Sequence, residues 1–297
     1  MPLRLLAFAA MAITWGLTWL AAKWATEAAP PVLVAALRLC IACPAFLVWC
    51  VLARLPLAVP GVGRLAASTL LLNTGCYSFL FWGVARTPTG LASIVNLSLI
   101  PVLSMAIGAA YGEERITRRR LVAVGFGAIG LVLLFGSRGT GGEHEATMAF
   151  GLAAVVAATF SYAWGAIVSK PLVRAMPPVS LAAWQTGLGG ISLLAVSAVI
   201  ERFDGADMMA LASGKPLAGL AFLVLAGSLI GFSVYLWLLR EWGAFRAGLY
   251  AFISPIIAVA VGVAVLGEPF GRWEALGMAI MLGATALVVR PEQAPAS

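Results

Sequence analysis

The chain has 297 residues, of which 62% are hydrophobic and 10% charged, and its mean hydropathy is +1.01. An ordinary soluble domain carries roughly 25% charged residues, so a water-soluble fold is excluded and lipid must cover the apolar excess. The net charge of +7 then reads as a bias among loops, and no nucleic-acid partner is implied.

A membrane-crossing helix needs about 20 mostly apolar residues, because lipid offers the backbone no hydrogen-bond partners. Apolar runs between punctuating residues predict ten such spans, at 5–25, 32–52, 65–85, 90–111, 119–136, 149–169, 178–200, 216–239, 246–266 and 273–290. Long alternation of period two is absent, which argues against a β-barrel. The expected fold class is all-α integral membrane, with a disordered tail at 291–297.

In chain order, the first span carries Trp15 and Trp19 on one face and Lys23 near its end, where a long side chain snorkels to the interface. The second holds Arg38, the one charge well inside a span, and Cys40-x-x-Cys43. Arg38 has two readings: a partner for a substrate carboxylate, or a structural donor to carbonyls at a helix break. A zinc site needs four ligands, so the CxxC pair is read as small apolar side chains, with Cys50 and Cys76 elsewhere. In the third span Asn73, Tyr77 and Phe81 recur every four residues on one face, beside Thr74 and Ser78. The fourth carries Ser93, Asn96 and Pro101, and is followed by Glu113 and Glu114.

The fifth span contains Gly125-Phe126-Gly127-Ala128-Ile129-Gly130. The letters match a dinucleotide fingerprint, but that motif needs a preceding strand. Inside an apolar span, small residues let helices approach closely. The only histidine, His144, sits in a loop between Glu143 and Glu145, and one histidine builds neither a metal cluster nor a catalytic triad. Beyond it come Tyr162, Trp164 and Lys170 in or near the sixth span, with Lys170 expected to snorkel like Lys23. Trp184 and Gln185 follow in the seventh, Ser228, Gly231 and Tyr235 in the eighth, and Tyr250, Ser254 and Pro255 in the ninth. Trp24, Trp49, Trp242 and Trp273 lie near span ends, as an interfacial belt does.

The chain is written twice. A shift of 147 residues superposes Lys23, Pro30 and Pro31 on Lys170, Pro177 and Pro178, with 11 identities in 43 positions over Leu5–Leu47. Further along, a shift of 154 superposes Arg86, Pro101, Gly108 and Glu114 on Arg240, Pro255, Gly262 and Glu268, the difference fitting a longer loop near Glu201–Lys215. The repeat predicts two halves, 1–140 and 147–290, of five spans each. An odd number of crossings turns the second copy upside down. The first apolar stretch, with Arg4 before it, could pass for a signal peptide. Its repeat partner Leu152–Ser169 lies mid-chain, so Leu5–Ala22 is expected to be retained. With the N-terminus inside, twelve Lys and Arg face the cytoplasm against six on the opposite side, which places both termini in the cytoplasm.

Polar and aromatic residues at membrane depth are the candidate site: Trp15, Trp19, Arg38, Asn73, Tyr77, Ser78, Phe81, Asn96, Tyr162, Trp164, Tyr235, Tyr250 and Ser254, with Pro101 and Pro255 as paired hinges. Belts and helix–helix hydrogen bonds explain many such residues; the alternative is that they wall a cavity for an amphipathic metabolite. No acidic residue falls mid-span, so coupling through a buried acid is unsupported, and uniport or exchange fits better unless a group at a helix end titrates. No GxxxxGK[ST] motif is present, and no converging nucleophiles or metal ligands point to an enzyme or a cofactor.

The two five-span halves, the Trp15-Gly16 pair and the Pro-x12-Glu spacing of Pro101/Glu114 and Pro255/Glu268 resemble the EamA family of the drug/metabolite transporter superfamily. Tyr162 departs from the pattern where the first half has Trp15. The resemblance implies a ten-helix inverted-repeat carrier of the inner (plasma) membrane, and it is similar to the branch exporting aromatic amino acids. The expectation is an exporter of amino acids, large neutral and aromatic ones included, working as a monomer by alternating access without ATP. Efflux of lipophilic drugs is the alternative.

Overall fold

The structure is a computed structural model and describes residues 2–84, 86, 89–136, 145–201, 203–266 and 271–289. His144, Glu268 and the tail at 291–297 lie outside the described residues. Among the described residues there is no strand. The helices are α1 (Pro2–Thr26), α2 (Pro31–Leu52), α3 (Val62–Thr69), α4 (Cys76–Val84), α5 (Thr89–Ala110), α6 (Arg118–Gly136), α7 (Glu145–Ala175), α8 (Pro178–Ile200), α9 (Gly205–Leu211), α10 (Gly214–Phe222), α11 (Ser233–Gly248), α12 (Tyr250–Leu266) and α13 (Arg272–Val289). A π-helical turn, Leu70–Gly75, joins α3 to α4, and a longer π segment, Leu223–Phe232, joins α10 to α11.

Among the described residues, six stretches are long and apolar enough to cross a membrane: Leu3–Thr26, Pro31–Leu52, Val62–Gly83, Met148–Ala175, Pro178–Ile200 and Gly214–Gly248. Val95–Ala110 and Ala275–Val288 are shorter apolar helices. The outward faces are apolar, as Leu121, Phe126, Ile129 and Val132 on α6 and Ile191 and Val199 on α8 illustrate, and such a surface is stable only against lipid.

Local chemistry sets the boundaries. Pro30-Pro31 and Pro177-Pro178 start α2 and α8, each with proline at the first helical position, where its missing N–H costs nothing. The first amides of α2, which have no partner within the helix, are satisfied from afar. Val32 and Leu33 donate their backbone N–H to Glu201, at the end of α8, at 2.8 and 2.9 Å, and Ser197 Oγ steadies the same carboxylate at 2.7 Å. A carboxylate at a helix N-terminus also meets the positive end of its dipole. The predicted break between 239 and 246 falls at Gly243, whose φ of 82° and ψ of 170° kink the chain inside α11.

Packing follows an exchange pattern. α2 lies against α8 and α6 against α13; α1 packs on α10 and α12, while α7 packs on α3, α4 and α5. The two π segments take matching places, one against α7 and α8, the other against α1 and α2. Glycines permit the closest approaches. A Cβ on Gly127 would strike the Phe252 ring and one on Gly130 would meet the Gly277 carbonyl and Met281, so the fingerprint-like glycines seat α6 on α12 and α13.

Candidate functional site

The helices converge on a cavity of about 160 Å3. Its wall is built by Trp15 and Thr18 from α1, Arg38 from α2, Cys76, Tyr77 and Leu80 from α4, Asn96, Leu97 and Ile100 from α5, Tyr162 from α7, and Tyr250 and Ser254 from α12. Aromatic rings form one side. Trp15 stands edge-on to Tyr250 at 4.5 Å between centroids and tilted against Tyr235 at 5.4 Å. Tyr250 and Tyr162 share a hydroxyl–hydroxyl bond of 3.2 Å.

Arg38 supplies the charge. Its Nε donates to Ser228 Oγ at 2.8 Å, and its guanidinium carbon lies 5.7 Å from the centre of the Tyr77 ring. Among the described residues no carboxylate pairs with it, and no acidic side chain lines the cavity. A guanidinium has five N–H donors, so most of its donor capacity is left for a guest. Asn96 is buried and donates from Nδ2 to Thr159 Oγ1 at 2.9 Å, which leaves its Oδ1 as an acceptor beside the cavity. Ser254 donates to the Ala12 carbonyl at 3.1 Å and ties α12 to α1.

The remaining candidates lie elsewhere. Asn73 is buried against α8, donating to the Gln185 carbonyl at 3.2 Å, although its four-residue spacing to Tyr77 predicts a shared face. Asn73 lies within the π turn at Leu70–Gly75 and is not part of the cavity wall that Tyr77 joins. Ser78 is partly buried, with its hydroxyl unpartnered. Phe81 stacks on Tyr77 at 6.1 Å and packs on the Val32, Ala35, Leu39 and Leu193 cluster. Trp164 points outward, its Nε1 donating to Tyr111 Oη at 2.9 Å. Tyr235 is buried behind the cavity wall, between the rings of Trp15, Tyr162 and Phe232. The side chain of Trp19 lies outside the described residues. Pro101 and Pro255 are buried inside α5 and α12. Thr18, Cys76, Leu80, Leu97 and Ile100 join the wall without any sequence signal, because small and aliphatic residues look the same in a wall and in a core.

Lys170 does not snorkel. Its side chain is 4% exposed, and Nζ lies 3.0 Å from Glu113 Oε2 and 3.6 Å from Glu114 Oε1. Arg174 pairs with Glu113 at 2.8 Å and Arg120 with Glu114 at 2.8 Å. The hydrogen bond from Lys170 holds the Glu113 carboxyl below the usual carboxylate range, against the opposing pull of partial burial. The cluster binds the α5–α6 loop to α6 and to the end of α7. The sequence signal for it was the repetition of Lys23 as Lys170 and of Glu114 as Glu268 in a chain with so few charges.

Comparison with known proteins places this architecture. Residues 3–136 and 149–290 each match the EamA-like transporter family. A probable amino-acid metabolite efflux pump of Salmonella typhimurium is 26% identical over 276 residues, covering 91% of this chain and 89% of the relative. The uncharacterized inner membrane transporter YedA of Escherichia coli K12 is 26% identical over 286 residues, covering 94% and 88%. Protein PecM of Dickeya dadantii is 27% identical over 293 residues, covering 97% and 92%. A protein crystal structure 20% identical in sequence superposes with a TM-score of 0.79 over 97% of this chain and 96% of its own.

Proposed function

The chain belongs to the EamA-like transporter family and is a membrane transporter; from that premise we propose that it exports amino acids, large neutral and aromatic ones among them, through the cavity around Arg38. The observation that carries the reading is Arg38 itself: a cation on the wall of an aromatic cavity, with no protein carboxylate to neutralise it among the described residues. A substrate carboxylate is the matching partner, because guanidinium binds carboxylates through two parallel hydrogen bonds. The Trp15, Tyr162 and Tyr250 rings suit an apolar or aromatic side chain, and their faces attract an ammonium group. The name of the Salmonella relative points the same way.

The transport cycle in this reading is alternating access by a five-plus-five inverted repeat of ten crossing helices, halves 1–140 and 147–290, in the inner membrane with both termini cytoplasmic. The exchange pattern of helix packing supports it, since α1 meets α10 and α12 as α7 meets α3, α4 and α5. Uniport or exchange fits a cavity that no acidic residue lines among the described residues. Efflux of lipophilic cations is the weaker alternative, because Arg38 repels a cation and about 160 Å3 is below the roughly 300–1,000 Å3 of pockets for drug-sized ligands.

Proteoliposome counterflow tests the proposal. Labelled phenylalanine and methionine accumulate in vesicles preloaded with the unlabelled amino acid; if neither rises above empty-vesicle background, the assignment fails. In a Cys40→Ser, Cys43→Ser, Cys50→Ser background, phenylalanine should also slow alkylation of Cys76, which lines the cavity.

A further inference from the structure

Two side chains of the cavity, from two different helices, are fastened to adjacent residues of one π segment. Trp15 Nε1 of α1 donates to the Gly227 carbonyl at 3.0 Å, and Arg38 Nε of α2 donates to Ser228 Oγ at 2.8 Å. The Ser228 hydroxyl spends its own proton on the Leu223 carbonyl, five residues back, at 3.2 Å. Its one hydrogen is thereby used, so toward Arg38 it acts as acceptor, and it is fully buried. The segment also leaves the space these contacts need. A Cβ on Gly231 would fall on Trp15 Nε1, and one on Gly227 would crowd Thr18 at 3.0 Å and lie 3.8 Å from the Arg38 guanidinium. A π bulge inside an α-helix frequently marks a functional site, because it redirects backbone groups that a regular helix keeps to itself.

We propose that Leu223–Phe232 is the specificity-determining element of the carrier, with Ser228 as the positioning residue for Arg38 and the Gly227 carbonyl as the positioning group for Trp15. The inference rests on the amino-acid reading of the cavity and deepens it. With Nε held by Ser228, the two terminal nitrogens of Arg38 present a fixed fork to a substrate carboxylate. With its indole held by Gly227, Trp15 presents a fixed surface to the substrate side chain. Ser228 touches no substrate in this arrangement and acts through Arg38.

The test measures how well unlabelled phenylalanine and phenylalaninamide inhibit labelled methionine uptake. The amide keeps the ring and amine and lacks the carboxylate. The wild-type protein should prefer phenylalanine by roughly tenfold, the scale of one well-made charged hydrogen-bond pair. Ser228→Ala should bring that ratio near one while leaving the amide's own inhibition unchanged, a pattern that general loosening of the helix does not produce. Arg38→Lys, which keeps the charge without the Nε donor or the fork, should lower methionine uptake and also bring the ratio near one, and the double variant should be no worse than Arg38→Lys alone. A Ser228→Ala protein that retains the wild-type ratio overturns the positioning role and leaves the amino-acid reading standing. A wild-type protein that transports methionine without preferring phenylalanine over its amide removes the carboxylate role of Arg38 and the inference with it. Absence of both methionine and phenylalanine uptake by the wild-type protein refutes the amino-acid reading itself. If Ser228→Ala does not insert, the Arg38→Lys ratio decides: an unchanged ratio overturns the proposal.

Discussion

Lys170 and Glu113 form an ion pair of 3.0 Å in which the lysine side chain is 4% exposed and the glutamate 22%. Taking a lysine out of water is costly unless its charge is met, and here two carboxylates and the Glu113 carbonyl meet it. Losing Lys170 leaves Glu113 paired with Arg174 and Glu114 with Arg120, without the buried cation between them. Lys170→Ala should therefore destabilise the detergent-solubilised protein by about 3 kcal/mol, the low end for a broken buried pair, read as a fall in thermal midpoint.

The same pair fixes a pH dependence. The Glu113 carboxyl is depressed, chiefly by its hydrogen bond from Lys170. A carboxyl lowered on folding contributes stability that is fully present above its unfolded pKa, about 4.3, and is lost as pH falls through the lower folded value. The thermal midpoint should stay flat from pH 8 to about 5 on this account, and the gap between wild type and Glu113→Gln should close only in more acid solution. A gap that closes near neutrality would assign the effect to another group.

Gly243 carries a positive φ of 82°, and a Cβ there would collide with Glu114 Oε1. Gly243→Ala combines backbone strain with displacement of a buried carboxylate and should cost about 2 kcal/mol or more. Gly125→Ala is the control, since a Cβ there meets nothing within 4 Å. Equal thermal midpoints for the two variants would remove the role of Gly243.

The all-helical, membrane-spanning class was legible because lipid imposes a length and a polarity on every crossing, and among the described residues six of the ten predicted spans meet both criteria. Trp15, Arg38, Tyr77, Asn96, Tyr162, Tyr250 and Ser254 were legible as wall candidates because polar and aromatic groups at depth need a reason to be there. Asn73 lies off the cavity wall because its buried amide is committed to the Gln185 carbonyl of α8, a partner 112 positions away that helical spacing does not reveal. Lys170 was misassigned because snorkelling is a local argument, whereas its partners Glu113 and Glu114 come from 56 or more positions earlier in the chain. The π segments themselves leave no letter pattern, and neither does the pairing of Ser228 with Arg38 across 190 positions.

Position relative to the cavity separates aromatic residues that look alike in sequence. Trp15 and Tyr77 line it, whereas Trp164 is bonded to Tyr111 on an exposed face. Trp15→Ala and Tyr77→Ala should each reduce phenylalanine uptake at least tenfold with normal membrane insertion, since a lost aromatic contact and its buried area together exceed about 1.4 kcal/mol. Trp164→Ala should keep most of the activity. The reverse ranking, measured on equal amounts of reconstituted protein, would move the site away from this cavity.

Gly231 has a narrower role, since an alanine methyl there falls on the Trp15 indole. Gly231→Ala should push Trp15 toward the cavity centre and weaken binding of large side chains first, by roughly tenfold for phenylalanine on the scale of overpacking costs, with a smaller loss for alanine. A uniform loss for both would mean disordered helix packing rather than a reshaped wall.

Pro101 and Pro255 occupy matching positions in α5 and α12, which pack on α7 and α1 respectively and carry Asn96, Leu97, Ile100, Tyr250 and Ser254 to the cavity. A proline inside a helix leaves the carbonyl four residues earlier without its usual backbone donor, so the helix bends more easily there than elsewhere. In each helix that weak point sits beside the wall residues, and the proposed hinge role is that a bend there changes access to the cavity while the contacts to a bound substrate persist. Pro101→Ala restores the missing N–H and stiffens α5. The expected result is a several-fold lower turnover at saturating substrate with the apparent affinity nearly unchanged, because the barrier between states rises while the site in each state is preserved. Steady-state uptake at several phenylalanine concentrations separates the two quantities, and a change confined to affinity would place Pro101 in the wall of the site instead of at its hinge.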